Sequence, residues 1–206
     1  MLRVAANGWN HNSHYHERLL QAVPASCQRA LDVGCGLGDF ARRLASVAEQ
    51  VDGIDREPAV IGRARELSSE VHNLRFVEAD FMTWRAPSSY DFVSMIATLH
   101  HMPFAAALTR ATNLLRPGGV LAVLGLDRAP SLLVAVARSS IAYPVSGCYH
   151  LTRRTSRVGA PILEPAMTLG EIRQQVNELL PGATVRRHLL WRYSLTWIKP
   201  PIPIAS

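Results

Sequence analysis

The sequence predicts an α/β fold, a doubly wound and mostly parallel sheet of about seven strands whose last strand is antiparallel. Residues 30–126 alternate short apolar runs with segments of helical spacing, and this alternation joins parallel strands through right-handed crossovers. The apolar runs do not alternate with polar residues, as is typical of strands that are covered on both faces. Residues 183–200 contain two strand-like runs with almost no connection between them, and so short a connection requires an antiparallel pair.

Each element of the alternating region has its own signal. Five apolar runs predict strands at residues 30–33, 51–55, 74–80, 90–99 and 120–126. Periodic spacing predicts helices at residues 39–48, from Pro58 onward, at 104–115 and at 168–182. In the first helix Phe40, Leu44 and Val47 share one face. The last helix begins at a Thr168 N-cap. The third helix is followed by the Arg-Pro-Gly-Gly sequence at 116–119, which is expected to end it.

Composition narrows the class of protein. Hydrophobic residues make up 48% of the 206 residues and charged residues 18%, which suits one compact domain. No apolar run reaches the ~18 residues of a membrane-spanning helix, and the first residues lack the apolar core of a signal peptide. We therefore expect a cytoplasmic protein. Cys27, Cys35 and Cys148 are too few for a disulfide framework or a zinc ribbon.

The formal net charge is +6, with a pI of about 9.8. A basic protein can bind nucleic acid. Here, however, the positive charge is almost wholly arginine, with Lys199 as the one lysine, and a GC-rich coding sequence produces the same bias. Charge alone therefore gives only weak support to a nucleic-acid partner.

A glycine-rich turn follows the first predicted strand. Gly34, Gly36 and Gly38 alternate directly after Asp32, and a turn without Cβ atoms can approach a ligand closely. In an open α/β sheet this turn lies at the carboxyl edge, where ligands bind. The pattern therefore predicts a ligand site, with an ordinary tight turn as the alternative.

The residues around this turn restrict the ligand. A dinucleotide fingerprint needs a third glycine at position 39, where this chain has Asp39, and an anion is unfavourable beside a pyrophosphate. Asp32 likewise favours a cationic group. Asp55 ends the second predicted strand and suits hydrogen bonds to a ribose diol. A nucleoside that carries a cation and no phosphate describes S-adenosylmethionine.

These segments resemble the class I S-adenosylmethionine-dependent methyltransferases of small-molecule type, over about residues 28–126. ALDVGCGLGD at 30–39 is similar to the family's first motif, followed by the acidic strand end of VDGID at 51–55. EAD at 78–80, YDFVSMIATLHHM at 90–102 and LLRPGGVLAV at 114–123 resemble the next motifs in order. The resemblance implies a Rossmann-like sheet, an N-terminal helical lid, methyl transfer, S-adenosylmethionine as cofactor and no metal.

The resemblance also implies which residues hold the cofactor. Backbone groups around the glycine turn would hold the methionine part, Asp55 the ribose and Asp80 the adenine amine. Phe81 would lie beside the adenine ring. The full set is Tyr15, Asp32, Gly34, Cys35, Gly36, Gly38, Asp55, Arg56, Asp80, Phe81 and Ile96. We interpret Cys35 as a small packing residue rather than a nucleophile.

Two adjacent histidines are the candidate catalytic residues. His100 and His101 follow the fourth predicted strand, where an acceptor would lie. Because the sulfonium is already an activated electrophile, the protein has to align the reactants and exclude water. A hydroxyl or amine acceptor also needs a base, and histidine is suited to that task. The alternative is that these residues only begin a helix.

The N-terminal segment contains His11, His14 and His16 close to Tyr15. A metal site is possible because i and i+3 residues share a helix face, but one histidine would point elsewhere and the expected chemistry needs no metal. By resemblance, this segment is a lid whose Tyr15 contacts the cofactor, with His11 or Asn12 nearby. Leu19 and Leu20 would anchor the helix. A polar amphipathic helix without ligand contact is the alternative.

The rest of the chain divides around the core. We expect a single domain with an N-terminal cap, a cofactor core, an acceptor insertion and a C-terminal helix with hairpin, at residues 1–27, 28–126, 127–167 and 168–206. The insertion is too apolar for an exposed loop, so we expect a helical lid over the acceptor. It also contains Arg153, Arg154 and Arg157, which either face solvent or contact an acidic acceptor. Trp191, Tyr193 and Trp197 alternate as core residues do.

The leading interpretation is a methyltransferase that acts on a small, partly apolar or acidic molecule, at oxygen or nitrogen and less readily at carbon. An RNA or DNA methyltransferase is the first alternative, but IATL at 96–99 lacks the Asn/Asp-Pro-Pro-aromatic sequence of enzymes that methylate base amines. A non-catalytic protein with the same fold is the second. A nicotinamide oxidoreductase is disfavoured by the glycine spacing.

Overall fold

The computed structural model describes residues 13–131, 133–134, 165–188 and 191–201. It contains a seven-stranded sheet with the order β3-β2-β1-β4-β5-β7-β6. The strands are β1 (Arg29–Val33), β2 (Gln50–Asp55), β3 (Leu74–Glu78), β4 (Tyr90–Ile96), β5 (Leu115–Leu126), β6 (Thr184–Arg187) and β7 (Arg192–Ile198). Strands β1 to β5 are parallel to one another, whereas β7 is antiparallel to both β5 and β6. The predicted fold class is confirmed.

Helices cover both faces of the sheet. They are α1 (His16–Leu20), α2 (Asp39–Leu44), α3 (Pro58–Glu66), α4 (Phe104–Leu114) and α5 (Leu169–Leu179), with short 3₁₀ turns at Ser13–Tyr15 and Leu99–His101. On one face α4 and α5 pack against the sheet, and on the other α1, α2 and α3 do so. We call these two layers the α4/α5 core and the α1–α3 core. None of the described helices is long and apolar enough to cross a membrane.

Helix α2 is shorter than the sequence predicts. It ends at Leu44 rather than at residue 48, and Val47, expected on its buried face, is 46% exposed. The chain turns here because the Asn73 side chain donates to the carbonyls of Ala45 and Ala48, at 2.9 and 3.1 Å. These bonds satisfy the open helix end from outside the helix.

Strand β5 begins earlier than predicted, at Leu115, and includes residues 116–119, which are expected to interrupt secondary structure. The end of β7 accounts for this difference. Gly118 N–H donates to the carbonyl of Lys199, and Lys199 N–H donates to the carbonyl of Gly119, both at 2.8 Å. The Lys199 ammonium also binds the carbonyls of Thr112 and Leu115 at the end of α4, a favourable place for a cation.

A buried carboxylate links four strands below the ligand edge. Asp52, on β2, is 5% exposed and accepts hydrogen bonds from Arg29 Nη2 (3.0 Å), Arg75 Nε (2.9 Å) and the hydroxyl of Tyr90 (2.7 Å). These donors belong to β1, β3 and β4 respectively. Two guanidiniums therefore balance the charge and a hydroxyl adds a third hydrogen bond, which is how a buried ion is tolerated.

The C-terminal region completes the sheet. Thr168 and Glu171 form a capping box at the start of α5. Tyr193 and Trp197 on β7 pack into the α4/α5 core, as expected for core aromatics. Trp191 precedes β7 and adopts a left-handed conformation with φ of +57°, so it does not continue the strand alternation.

The two ends of the insertion meet in a short stem. Arg128 N–H donates to the carbonyl of Met167 at 2.8 Å, and its Nε donates to the carbonyl of Ala166 at 3.0 Å. Arg128 also forms an isolated parallel bridge with Thr168. The predicted lid lies largely outside the described residues, as do Cys148, Arg153, Arg154 and Arg157.

Candidate functional site

The glycine turn lies at the carboxyl edge of the sheet, joined to the neighbouring strand. The N–H groups of Gly34 and Cys35 both donate to the carbonyl of Ile54, at 2.8 and 3.0 Å. Further along this edge, Ala79 N–H donates to the carbonyl of Asp55 at 2.9 Å. The predicted site residues after β1, β2 and β3 are therefore brought together.

The three glycines of this turn share a left-handed backbone conformation and differ in the space around them. Gly34, Gly36 and Gly38 have φ of +66°, +54° and +78°, which favours glycine at each position. A Cβ on Gly34 would lie 2.1 Å from Thr98 Oγ1, and one on Gly38 would lie 2.4 Å from Phe76 Cζ. A Cβ on Gly36 would meet no atom within 4 Å. Gly36 therefore faces open space at the ligand edge.

A buried arginine holds the turn from below. Arg42 is 7% exposed, and its Nη1 donates to the carbonyl of Leu37 (2.7 Å) and to Ser68 Oγ (3.1 Å). Its Nη2 forms a close ion pair with Asp39. The charge of Asp39 is thus balanced within the chain, so the case against a pyrophosphate ligand rests on the glycine spacing rather than on this carboxylate.

Asp55 is oriented by two backbone groups. Its Oδ2 accepts from Gly36 N–H at 3.0 Å, and its Oδ1 accepts from Glu57 N–H at 3.1 Å. A carboxylate has about four acceptor positions, so capacity remains for a ligand diol. The next residue, Arg56, is exposed and lies 3.6 Å from the carboxylate of Glu57.

Asp32 lies beneath the turn and is 2% exposed. Its Oδ1 accepts a hydrogen bond from Ser94 Oγ at 2.7 Å. Burial raises the pKa of Asp32 to about 7, helped by the charges of Asp55 and Asp39 and opposed by the Ser94 bond. Burial likewise raises the pKa of the Cys35 thiol, which is consistent with our interpretation of Cys35 as a packing residue.

The residues after β3 and β4 flank the turn. Asp80 is exposed and accepts from Met82 N–H at 2.7 Å. Phe81 is 5% exposed in the α4/α5 core, with the guanidinium of Arg110 5.5 Å from its ring centroid. Ile96 ends β4 half-buried, and Ala97 follows with φ of +51°. A contact of Phe81 or Ile96 with the cofactor stays a prediction.

The two histidines after β4 lie in contact, with ring centroids 4.0 Å apart. Burial, together with the charges of His101 and Arg192, lowers the pKa of His100 to about 4. Burial and the charge of Arg56 lower the pKa of His101, which Asp55 opposes. The buried Nδ1 of His100 finds no hydrogen-bond partner in the part of the chain that the structure describes. His100 is therefore a neutral imidazole with an unsatisfied nitrogen.

The N-terminal helix places Tyr15 in the α1–α3 core, 8% exposed. Its ring centroid lies 4.8 Å from that of His14 and 5.0 Å from that of His188. His16 is buried against Phe40, with ring centroids 5.0 Å apart. Leu19 and Leu20 pack into the same core, as predicted for the helix anchor. His11 and Asn12 lie outside the described residues.

Sequence reasoning missed several residues of this region. Thr98 fills the space beside Gly34, Arg42 braces the turn, and His188 contacts Tyr15. Arg192, 9% exposed, lies where β7 begins beside the end of β5. An arginine three positions into a predicted helix was a weak signal for Arg42. No sequence pattern near residue 188 indicated a contact between His188 and the N-terminal helix.

The site fits the cofactor that the sequence suggested. Gly36 opens onto space that a Cβ would enter, Asp55 is held at the adjoining strand end, and Asp32 places an acid below the turn. Among the described residues, no group of three or more His, Cys, Asp or Glu side chains could hold a metal ion.

Comparisons with known proteins identify the family. A methyltransferase-domain family model matches residues 30–119. An uncharacterized methyltransferase of Mycobacterium bovis is 37% identical over 206 residues, covering 93% of this chain and 98% of that protein. A ubiquinone biosynthesis O-methyltransferase of Albidiferax ferrireducens is 33% identical over 116 residues, 54% of this chain and 46% of that protein.

The fold has a matching solved structure. The N-methyltransferase NodS from Bradyrhizobium japonicum WM9, in complex with S-adenosyl-L-homocysteine, aligns with a TM-score of 0.64 and 16% identity, covering 96% of this chain and 91% of that chain. At this identity the likeness concerns the fold alone. The family model, the relatives and the matching fold show that the chain belongs to the class I S-adenosylmethionine-dependent methyltransferases, with S-adenosylmethionine as its cofactor.

Proposed function

We propose that the protein transfers the methyl group to a hydroxyl of a small-molecule acceptor, and that His100 removes the acceptor proton. The single observation that carries this proposal is the Nδ1 of His100, a buried nitrogen without a partner among the described residues, next to the ligand edge. Buried polar atoms are nearly always hydrogen-bonded. An acceptor hydroxyl would supply the missing partner once the groups that cover this nitrogen move aside.

Each chain residue has a simple task in this reaction. The glycine turn and Asp55 hold the cofactor, and Arg42 keeps the turn in place. When bound, S-adenosylmethionine supplies an activated methyl group. His100 accepts the proton at Nδ1 as the acceptor oxygen becomes nucleophilic, and such a base contributes about 10²–10⁴-fold. His101 lies against its ring and limits its movement.

Two further points favour a hydroxyl on a small molecule. Relatives that are 33–36% identical over about half of this chain are named ubiquinone biosynthesis O-methyltransferases, and ubiquinone biosynthesis is a small-molecule pathway by its name. Arg192 lies near enough to His100 to lower its pKa, and a cation there favours an acceptor that becomes anionic as it loses its proton. Nitrogen acceptors are the second possibility, since amines also lose a proton.

The test is turnover with a panel of phenols, carboxylic acids, alcohols and amines, followed as S-adenosylhomocysteine formation. His100→Ala should lower kcat on a hydroxyl acceptor by about 100-fold, the low end of the range for a general base, because a pKa of about 4 makes the imidazole a weak base. The S-adenosylhomocysteine Kd should stay unchanged. His72→Ala, which changes an exposed histidine, is the matched control.

The pH profile provides a second test. Because the pKa of His100 is lowered to about 4, the neutral base persists above that pH, and kcat/KM should fall only as the pH drops toward 4. Full activity of His100→Ala on every accepted substrate would overturn the assignment of the base. Turnover of nucleic acid alone would overturn the small-molecule acceptor.

A further inference from the structure

His188 joins the two ends of the described chain. It follows β6, and its Nε2 lies 2.7 Å from Ser194 Oγ on β7. Its Nδ1 lies 3.4 Å from Arg18 Nη1 on α1, and its ring centroid lies 5.0 Å from that of Tyr15. The His188 backbone N–H donates to the carbonyl of Arg192 at 2.8 Å. A single imidazole thus connects the N-terminal helix to the C-terminal hairpin.

These partners determine which nitrogen of His188 carries the proton. A guanidinium only donates hydrogen bonds, so Nδ1 must accept from Arg18. The proton is then on Nε2, which donates to the Ser194 hydroxyl. The contact therefore requires neutral imidazole in one tautomer.

Protonation would place a positive ring among positive neighbours. Burial lowers the pKa of His188, and the charges of Arg18 and Arg186 lower it further. Among the described residues, Tyr15, in the 3₁₀ turn before α1, and Ser194, on β7, face the same ring, and neither carries a compensating negative charge. A proton on Nδ1 also removes the acceptor that Arg18 uses.

We propose that neutral His188 is a positioning residue that holds Tyr15 at the cofactor edge, and that protonation of His188 loosens the N-terminal helix and weakens cofactor binding. This inference rests on the predicted contact of Tyr15 with the cofactor. Tyr15 and Cys35 belong to the same α1–α3 core, against which Ile96 also packs, so a displaced helix would disturb the core on which the glycine turn rests.

The direction of the pH effect follows from the lowered pKa. The ordinary value is 6.5, so the neutral ring and its contacts are present above that pH. They are lost as the pH falls through the lower value of the folded state. Cofactor affinity should therefore be highest at pH 7–8 and decrease in mildly acidic solution.

The experiment measures the Kd of S-adenosylhomocysteine by calorimetry from pH 8 to pH 5. For the natural chain we expect a loss of affinity of about tenfold. In His188→Gln, which keeps a side-chain donor for Ser194 but does not titrate, the loss should be much smaller. Since Asp32 also titrates in this range, the decisive quantity is the difference between the two curves. His72→Gln is the matched control and should follow the natural chain.

Two other variants separate the possible failures. Arg18→Gln removes the nearest cation and should move the loss of affinity to higher pH, with the same thermal stability at pH 8. Tyr15→Ala should weaken binding at every pH and abolish the His188-dependent difference. Parallel curves for the natural chain and His188→Gln would overturn the proposal. If Tyr15→Ala binds S-adenosylhomocysteine as tightly as the natural chain, while the natural chain and His188→Gln still differ, then Tyr15 does not contact the cofactor. In that case His188 does not act on binding through Tyr15.

Discussion

Gly36→Ala is the sharpest test of the cofactor site. Gly36 has φ of +54°, and an added Cβ would meet no atom within 4 Å. In the protein without cofactor, the substitution should therefore cost only left-handed backbone strain, about 1–2 kcal/mol. For a domain of this size that corresponds to a lower Tm by about 2–8 °C.

Cofactor binding should decrease far more than this strain predicts. If ligand atoms occupy the space beside Gly36, an added methyl group overpacks it, at a cost of about 1–3 kcal/mol. The Kd of S-adenosylhomocysteine should then rise about 5- to 150-fold. Gly118→Ala is the matched control, because Gly118 has φ of +78° and equally open space but lies at the start of β5.

The assay combines thermal unfolding with calorimetric titration of S-adenosylhomocysteine for all three proteins. Both variants should lose similar stability, and only Gly36→Ala should lose affinity. A normal Kd for Gly36→Ala would refute the placement of the cofactor against this glycine. An equal loss of affinity in Gly118→Ala would show that general destabilisation explains the effect.

Two predictions concern buried carboxylates. Burial raises the pKa of Asp32 to about 7 from 3.8, so the folded chain holds that proton more tightly and loses stability as the pH rises toward 7. Asp32→Asn should remove this pH-dependent part of the free energy of unfolding, measured by urea unfolding at pH 5 and pH 8. An equal change in stability between the two pH values for Asp32→Asn and the natural chain would contradict the prediction. Asp52→Asn should lower the free energy of unfolding by about 3 kcal/mol, because Arg29 and Arg75 lose their shared carboxylate. The S-adenosylhomocysteine Kd of folded Asp52→Asn should stay normal, and a loss of stability below about 1 kcal/mol would show that the network is only a surface ion pair.

The parallel core could be predicted because its signals are local. Apolar runs, Pro58 and the Thr168 cap depend on residues a few positions apart, and the observed elements begin within a residue or two of those positions, β5 excepted. The errors occur where distant groups intervene. Asn73 ends α2 early, and Lys199 extends β5 backward. The predicted β4 continued to residue 99, but Ala97 turns left-handed after Ile96, and alanine gives no sequence signal for that conformation.

The site shows the same division. Residues at strand ends could be predicted, since the carboxyl ends of parallel strands meet at one edge. The supporting contacts could not: Arg42 and Ser68 are 26 positions apart, and Arg18 and His188 are 170 apart. Their pairing depends on how α1, α3 and the hairpin pack. The roles of His100, His101 and Tyr15 stay predictions until the variants above are measured.

The stem formed by Arg128 with Ala166 and Met167 has a consequence for the segment predicted to cover the acceptor. Because the chain leaves and returns at one point, the residues between can lengthen or shorten without moving β5 or α5. Closing a flexible loop twice as long costs only about 0.6 kcal/mol more, a small part of the stability of a domain. Evolution or design can therefore exchange this segment while the sheet and its helices stay folded.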